Sequence, residues 1–274
     1  MIDAKTQLYG LIGNPVRHSL SPIIHNSAFR EMGLNAIYLA FEVKNLRAAL
    51  EGIKGSGIRG VSVTIPFKRE AIPFLDEIEA VAERIRAINT IANQSGKLVG
   101  YNTDWSGALM ALEGRIDLKD RRVLLIGAGG AARAIGFGLK EKGAEIFISN
   151  RSPERGKQLA QELRGDFRPS IHGLGVDVII NATSIGMHPQ PEATPFSEEL
   201  LKEGMLVMDI VYQPLETRLL RAANKRGCLT INGLEMLLYQ AILQIEIWTG
   251  RRPDALSIRE YLRRAVSPVG EKND

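Results

Sequence analysis

The stretch GAGGAA, Gly127 to Ala132, follows the apolar run Val123–Ile126 and opens a helical pattern. These residue types suit the pyrophosphate of a dinucleotide. Gly127 allows a tight turn out of a strand, and Gly129 lets a phosphate approach the backbone across Ala128. The small Ala132 lets the helix lie close to the sheet. Gly130 and Ala131 then begin a helix whose N–H groups and positive dipole end face the phosphates. A glycine turn alone also ends ordinary strands; the strand before it and the helix after it make this one a cofactor loop.

The end of the next strand decides which dinucleotide is expected. An NAD enzyme usually carries Asp or Glu there, to bind the ribose 2′-hydroxyl. This chain has Asn150-Arg151-Ser152-Pro153-Glu154-Arg155. Ser152 reads as an N-cap with Pro153 at the first helical position. Arg151 and Arg155 beside that helix start can hold a 2′-phosphate by charge-assisted hydrogen bonds. The bland alternative is a capped helix with solvated arginines. Directly after a glycine fingerprint, the phosphate reading is preferred, and NADP is expected over NAD.

A second group of residues lies nearer the N-terminus. In GNPVRHSLSPIIHNSAF the pair Ser21-Pro22 marks a helix start, where the hydroxyls of Ser19 and Ser21 suit a small carboxylate. Taken alone, Ser21 reads as a simple cap. VSVTIPFK sets Thr64 and Lys68 just beyond a strand end, AINTI contributes Asn89, and GYNTDWSG contributes Asn102, Thr103 and Asp104. Together with INGLEMLLYQA, NRSPER, NATSIGM and DIVYQP, these segments closely resemble the shikimate dehydrogenase family, in order and over essentially the whole chain.

That resemblance implies reversible NADPH-dependent reduction of 3-dehydroshikimate to shikimate, in the chorismate branch of aromatic amino-acid biosynthesis. It assigns the substrate carboxylate to Ser19 and Ser21 and the ring hydroxyls to Thr64, Asn89, Asp104 and Gln240, with Tyr212 also at the substrate. Gly127 to Ala131, Asn150, Arg151, Ser152 and Arg155 match cofactor positions, and Ile210 and Gly233 match positions near the nicotinamide. Ser152 stands where the family often has Thr, and Ile210 where it often has Met. The chemistry fits these residue types. Hydride arriving at a ketone carbon builds negative charge on oxygen, which a Lys ammonium can stabilise or protonate. Lys68 and Asp104 are therefore the catalytic candidates, and which carries the proton at each step stays open. A lysine at a helix start opposes the macrodipole, a placement that hints at function. Two other readings stand beside this one: a quinate/shikimate dehydrogenase with different cofactor choice, and a non-catalytic sensor that kept the fold.

To position such groups the chain needs alternating strands and helices, and it has them. Leu8–Ile12, Ala36–Val43, Gly60–Val63, Thr90–Ala92 and Leu98–Tyr101 read as strands, with helices over Pro22–Met32 and Asn45–Lys54. A second series follows LKDRR: Val123–Ile126, Glu145–Ser149, Val176–Asn181, Leu206–Ile210 and Leu229–Ile231. The last long helix, Leu234 to Thr249, ends near Gly250 before Pro253. The alternation predicts parallel sheets with crossover helices throughout. The expected fold is α/β: an N-terminal α/β substrate domain, residues 1–104 with 236–274, plus an NADP-binding Rossmann domain with a parallel sheet, residues 105–235. Substrate groups in one domain and cofactor groups in the other would have to be brought together by domain closure.

The remaining features are bland. The net charge of +4 comes from dispersed Lys and Arg without aromatic-basic alternation, so no nucleic-acid partner is expected. No apolar stretch suggests a signal peptide or membrane span, and the single cysteine, Cys228, reads as a buried small residue. A cytoplasmic location is expected, and the resemblance allows a monomer or a homodimer. His18, His25, His172 and His188 lack metal-ligand spacing. His18 is a candidate for the substrate pocket, and His25 reads as helix surface. Asn181-Ala182-Thr183 reads as a strand end facing the cofactor, and Leu237, Leu238 and Ile242 as core.

Overall fold

The computed structural model describes residues 2–170 and 173–266, so His172 lies outside the described residues. The chain divides into two compact units. One holds the chain up to Thr103 and from Gln240 onward; the other runs from Asp104 to Tyr239.

In the first unit β1 (Gln7–Gly13) is followed by α1 (Ser21–Glu31), β2 (Ala36–Glu42), α2 (Leu46–Gly55) and β3 (Gly60–Val63). These strands pair in parallel, β2 and β3 flanking β1. A short α3 (Phe67–Glu70), β4 (Glu77–Ile78) and α4 (Ala80–Ile85) lead to β5 (Thr90–Gln94) and β6 (Lys97–Tyr101). Here the expectation of parallel pairing fails. β5 is antiparallel to both β3 and β6, so the sheet β2-β1-β3-β5-β6-β4 is mixed. Between β5 and β6 the cause is a two-residue turn in which Ser95 and Gly96 have φ of 56° and 92°. Two successive positive φ values match the twist of a tight hairpin, which returns β6 beside β5. Asn93 Oδ1 accepts from Gly96 N at 2.8 Å and braces the turn. Apolar side chains of β3, β5 and α2, among them Val61, Ile91 and Leu50, pack into one core.

The second unit opens with α5 (Asp104–Glu113) and β7 (Arg122–Ile126). There follow α6 (Gly130–Glu141), β8 (Glu145–Ser149), α7 (Pro153–Leu163), β9 (Asp166–Phe167), β10 (Val178–Asn181), β11 (Leu206–Asp209), α8 (Arg218–Lys225) and β12 (Leu229–Ile231). Their order is β12-β11-β10-β7-β8-β9, and every pair is parallel. Strands covered on both faces read as continuous apolar runs, which is why VLLI, VIIN and LVMD were legible. β10 starts two residues later than the sequence pattern suggested, and Ile210 lies just past β11. Buried Arg133 on α6 pairs with Glu162 on α7, with Nη2 3.1 Å from Oε1, tying the two crossover helices together.

Helix α9 (Gly233–Thr249) begins in the second unit and ends in the first. It stops at Gly250, whose φ of 68° is open to glycine and whose N–H returns to Glu246 O at 2.8 Å. Leu238 and Ile242 on it are core, and Leu237 is half-buried. The final helix, α10 (Ala255–Val266), packs on α1. No helix among the described residues is long and apolar enough to cross a membrane.

Candidate active site

In the second unit the glycine loop has the shape its composition requires. Gly127 has φ of 120°, and a Cβ there would come within 2.9 Å of Ala182 O and 3.1 Å of Thr183 Cγ2. The segment after β10, Asn181-Ala182-Thr183, therefore lies directly against the loop. A Cβ on Gly129 would meet nothing within 4 Å, so its backbone faces open space. Gly129 is the N-cap of α6 and no side chain caps that helix. Gly130, Ala131 and Ala132 follow in its first turn, and Ala132 is fully buried against the sheet. An open glycine backbone leading into an uncapped helix start fits a pyrophosphate.

After β8, Asn150 Nδ2 donates to Ser152 O at 2.8 Å and shapes the turn. Ser152 is the N-cap of α7, accepting from Arg155 N at 3.4 Å, with Pro153 at the first position. Its hydroxyl donates to Glu154 Oε2 at 2.9 Å. The backbone N–H of Glu154 and that hydroxyl hold the exposed Glu154 carboxyl below its ordinary range. Arg151 and Arg155 are both exposed beside this helix start.

Beyond β11, Gly233 backs onto the loop carrying Ile210: a Cβ there would lie 2.3 Å from Ile210 O and 2.7 Å from Val211 O. Tyr212, half-buried, follows. The loop is braced by Asp209, a fully buried carboxylate that sequence reasoning missed. It accepts from Asn181 Nδ2 at 3.0 Å, Val211 N at 3.0 Å and Thr217 Oγ1 at 2.7 Å. Burial pushes its pKa up to about 6 despite these three donors. Asp104 is buried in the first turn of α5.

In the first unit the structure gathers Asn89, Thr103 and Gln240. Asn89 Nδ2 donates to Thr103 Oγ1 at 2.9 Å and to Gln240 Oε1 at 3.3 Å, while Thr103 Oγ1 donates to Gln240 O at 3.0 Å. Asn102 Nδ2 donates to Ala87 O at 2.8 Å and holds the strand end. Thr64 is half-buried past β3, and Lys68 is half-buried in α3. Ser19 and Ser21 lie together, but Ser21 does not cap α1. Leu20 occupies the cap position without a side-chain hydrogen bond, and Ser19 Oγ accepts from Ser21 N at 3.2 Å. The buried Ser21 is thus not used up in capping the helix, as the simple reading supposed, while the half-buried Ser19 takes the first N–H of α1.

His25 is a second correction. Expected on the surface of α1, it is fully buried, stacked on Tyr38 with ring centroids 4.0 Å apart. Its Nδ1 lies 2.8 Å from Ser21 O, which fits a neutral ring donating from Nδ1. Burial drives its pKa down to about 4 against the opposing pulls of the Ser21 carbonyl and of Gln244, although no hydrogen bond reaches Nε2. A signal was present in the sequence. Ser21, Ile24, Ala28 and Phe29 mark the inner face of α1 at helical spacing, and position 25 falls on it. His18 is exposed. Cys228 is buried just before β12, with Sγ 3.2 Å from Lys202 O.

Known proteins place this arrangement. The shikimate dehydrogenase substrate binding domain matches residues 11–91, shikimate/quinate 5-dehydrogenase matches 109–211, and the shikimate 5-dehydrogenase C-terminal domain matches 233–265. The NADP(+) shikimate dehydrogenase of Methanocaldococcus jannaschii is 49% identical, over 97% of this chain and 98% of the relative. This chain belongs to the shikimate dehydrogenase family. A crystal structure of a shikimate dehydrogenase in complex with NADP+ superposes with a TM-score of 0.92 at 45% identity, covering 98% of each chain. The Thermus thermophilus shikimate 5-dehydrogenase, solved with NADP(H) and shikimate, gives a TM-score of 0.89 at 39% identity, covering 95% of this chain and all of that one. For a shikimate dehydrogenase, the glycine loop of the second unit and the amide cluster of the first are thus the two features to explain.

Proposed function

We infer that the protein catalyses the reversible NADPH-dependent reduction of 3-dehydroshikimate to shikimate, a step of aromatic amino-acid biosynthesis. The observation that carries this reading is the near full-length identity of 49% to an enzyme of that name. The open Gly129 backbone at the start of α6 and the exposed Arg151 and Arg155 at the start of α7 support it independently.

The second unit is the NADP-binding domain in this reading, and the first is the substrate domain. Gly127 to Ala131 would hold the pyrophosphate, with Asn150 to Arg155 around the adenosine 2′-phosphate and Ile210 and Gly233 beside the nicotinamide. Bound NADPH supplies the hydride. The chain must then hold the ketone and deal with the charge on its oxygen. Ser19 and Ser21 donate to the substrate carboxylate. Thr64, Asn89, Gln240 and Tyr212 bind the substrate through side-chain hydroxyl and amide groups, and Asp104 accepts from a ring hydroxyl. Lys68 donates to the carbonyl oxygen as it becomes an alkoxide, lowering the energy of that charge at the moment it forms. The acid–base work is shared between Lys68 and Asp104. The enzyme acts in the cytoplasm, as a monomer or homodimer.

Steady-state kinetics with NADP and NAD, each against shikimate and quinate, test the assignment. The highest kcat/KM is expected for NADP with shikimate. Quinate oxidation with NAD matching it would overturn the substrate and cofactor choice together.

A further inference from the structure

Behind Asn89 runs a buried chain of polar side chains that the proposed chemistry does not use. Tyr38 OH donates to Ser62 Oγ at 2.7 Å, and Ser62 Oγ donates to Gln244 Oε1 at 2.7 Å. Gln244 Nε2 donates to Asn89 O at 3.1 Å and lies 3.0 Å from Thr90 Oγ1. Thr90 Oγ1 in turn donates to Asn89 Oδ1 at 2.8 Å. Tyr38, Ser62, Thr90 and Gln244 are all buried, the last only 1% exposed. Fully burying so many polar groups is costly unless each finds a partner, so such chains persist where orientation matters.

The chain has only one self-consistent direction. Asn89 O is an acceptor, already receiving Val63 N at 2.7 Å, so Gln244 must present its NH₂ there. Its Oε1 therefore faces Ser62, which must donate, leaving the Ser62 oxygen to accept from the Tyr38 phenol. At the other end, Thr103 N donates to Asn89 Oδ1 at 2.7 Å, and the Thr90 hydroxyl donates to that same oxygen. The Asn89 amide is thereby held with Nδ2 toward Thr103 and Gln240.

We propose that Gln244, locked by Ser62 and Tyr38, is a positioning residue for the substrate: it fixes the orientation of the Asn89 amide and, through it, of Gln240. The proposal rests on the functional reading above, in which Asn89 and Gln240 bind the ring hydroxyls. Gln240 and Gln244 are one turn apart on α9, so one helix face carries both a binding amide and the amide that sets it.

The test uses the full-length protein with shikimate, 3-dehydroshikimate and NADPH. Gln244→Met keeps the volume and removes both hydrogen-bonding ends. It is expected to raise the KM for 3-dehydroshikimate and the Kd for shikimate about ten-fold, leaving the NADPH Kd within about two-fold. Ser62→Ala lets the Gln244 amide turn, and should shift the same two constants in the same direction by about three-fold. A lowered melting temperature with unchanged substrate constants in either variant would make the chain merely structural and overturn the proposal. If Gln244→Met does not fold, Ser62→Ala decides alone. A wild-type protein that binds no shikimate would remove the functional reading and this inference together, whereas wild-type binding matched by both variants would remove only the inference.

Discussion

Asp209 offers a test of whether burial governs the loop that carries Ile210 and Tyr212. The substitution Asp209→Asn keeps two of the three hydrogen bonds and reverses the third: the amide oxygen can accept from Asn181 Nδ2 and Val211 N, while the Thr217 hydroxyl, a donor in the wild type, must accept from the new NH₂, a cost that does not depend on pH. What changes with pH is titration. The wild-type carboxyl rises from 3.8 to about 6 because folding removes it from water. The folded state therefore holds this proton more tightly than the unfolded chain does. Its contribution to stability is complete below the unfolded pKa and is lost as pH rises through the folded one. A shift of this size corresponds to ~3 kcal/mol, of which about 2 kcal/mol falls between about pH 4.5 and about pH 7.5. Urea unfolding of both proteins without ligand should show Asp209→Asn gaining that amount relative to wild type across the interval. A difference that does not vary with pH would show that burial does not raise the Asp209 pKa.

Other perturbations separate the remaining parts of the account. His25 has the opposite sign: its folded pKa is depressed from 6.5 to about 4, so its contribution is present above about pH 6.5 and is lost as pH falls. His25→Phe keeps the stacking on Tyr38, and urea unfolding should show the advantage of wild type over this variant shrinking by up to ~3 kcal/mol on acidification to about pH 4. Lys68→Ala should cut kcat by about 10²–10⁴-fold while NADPH binding, measured by fluorescence titration, stays nearly intact. Unchanged turnover would remove Lys68 from the mechanism. Arg151→Ala should raise the NADPH KM about ten-fold and leave the NADH KM almost unaltered. A parallel rise in both would sink the 2′-phosphate assignment.

The second unit was the more legible because its local signals agree with its tertiary structure. Parallel strands covered on both faces are written as unbroken apolar runs, and the glycine loop and the Ser152-Pro153 cap each announce a helix start at the residue where one occurs. The first unit hid more. Its Ser95-Gly96 hairpin reverses the chain within two residues, and β4 is too short to leave a periodic trace, as is β9 in the second unit. Buried polar residues were the hardest to see. His25, Ser62, Asp209 and Gln244 look like surface residues by type, and their partners lie 24 to 182 positions away in cases such as Tyr38–Ser62 and Ser62–Gln244. Only the fold brings those partners into range. Ser21, by contrast, reads as a helix cap but does not cap α1, because the anion-binding reading and the capping reading share one signature.

This chain passes hydride from NADPH to 3-dehydroshikimate. The direct measurement is the absorbance of NADPH after the ketone is added to the purified protein. The expected result is a fall that requires both reactants and is reversed by mixing shikimate with NADP+. Steady absorbance in both directions, from a folded protein that binds NADPH, would contradict it.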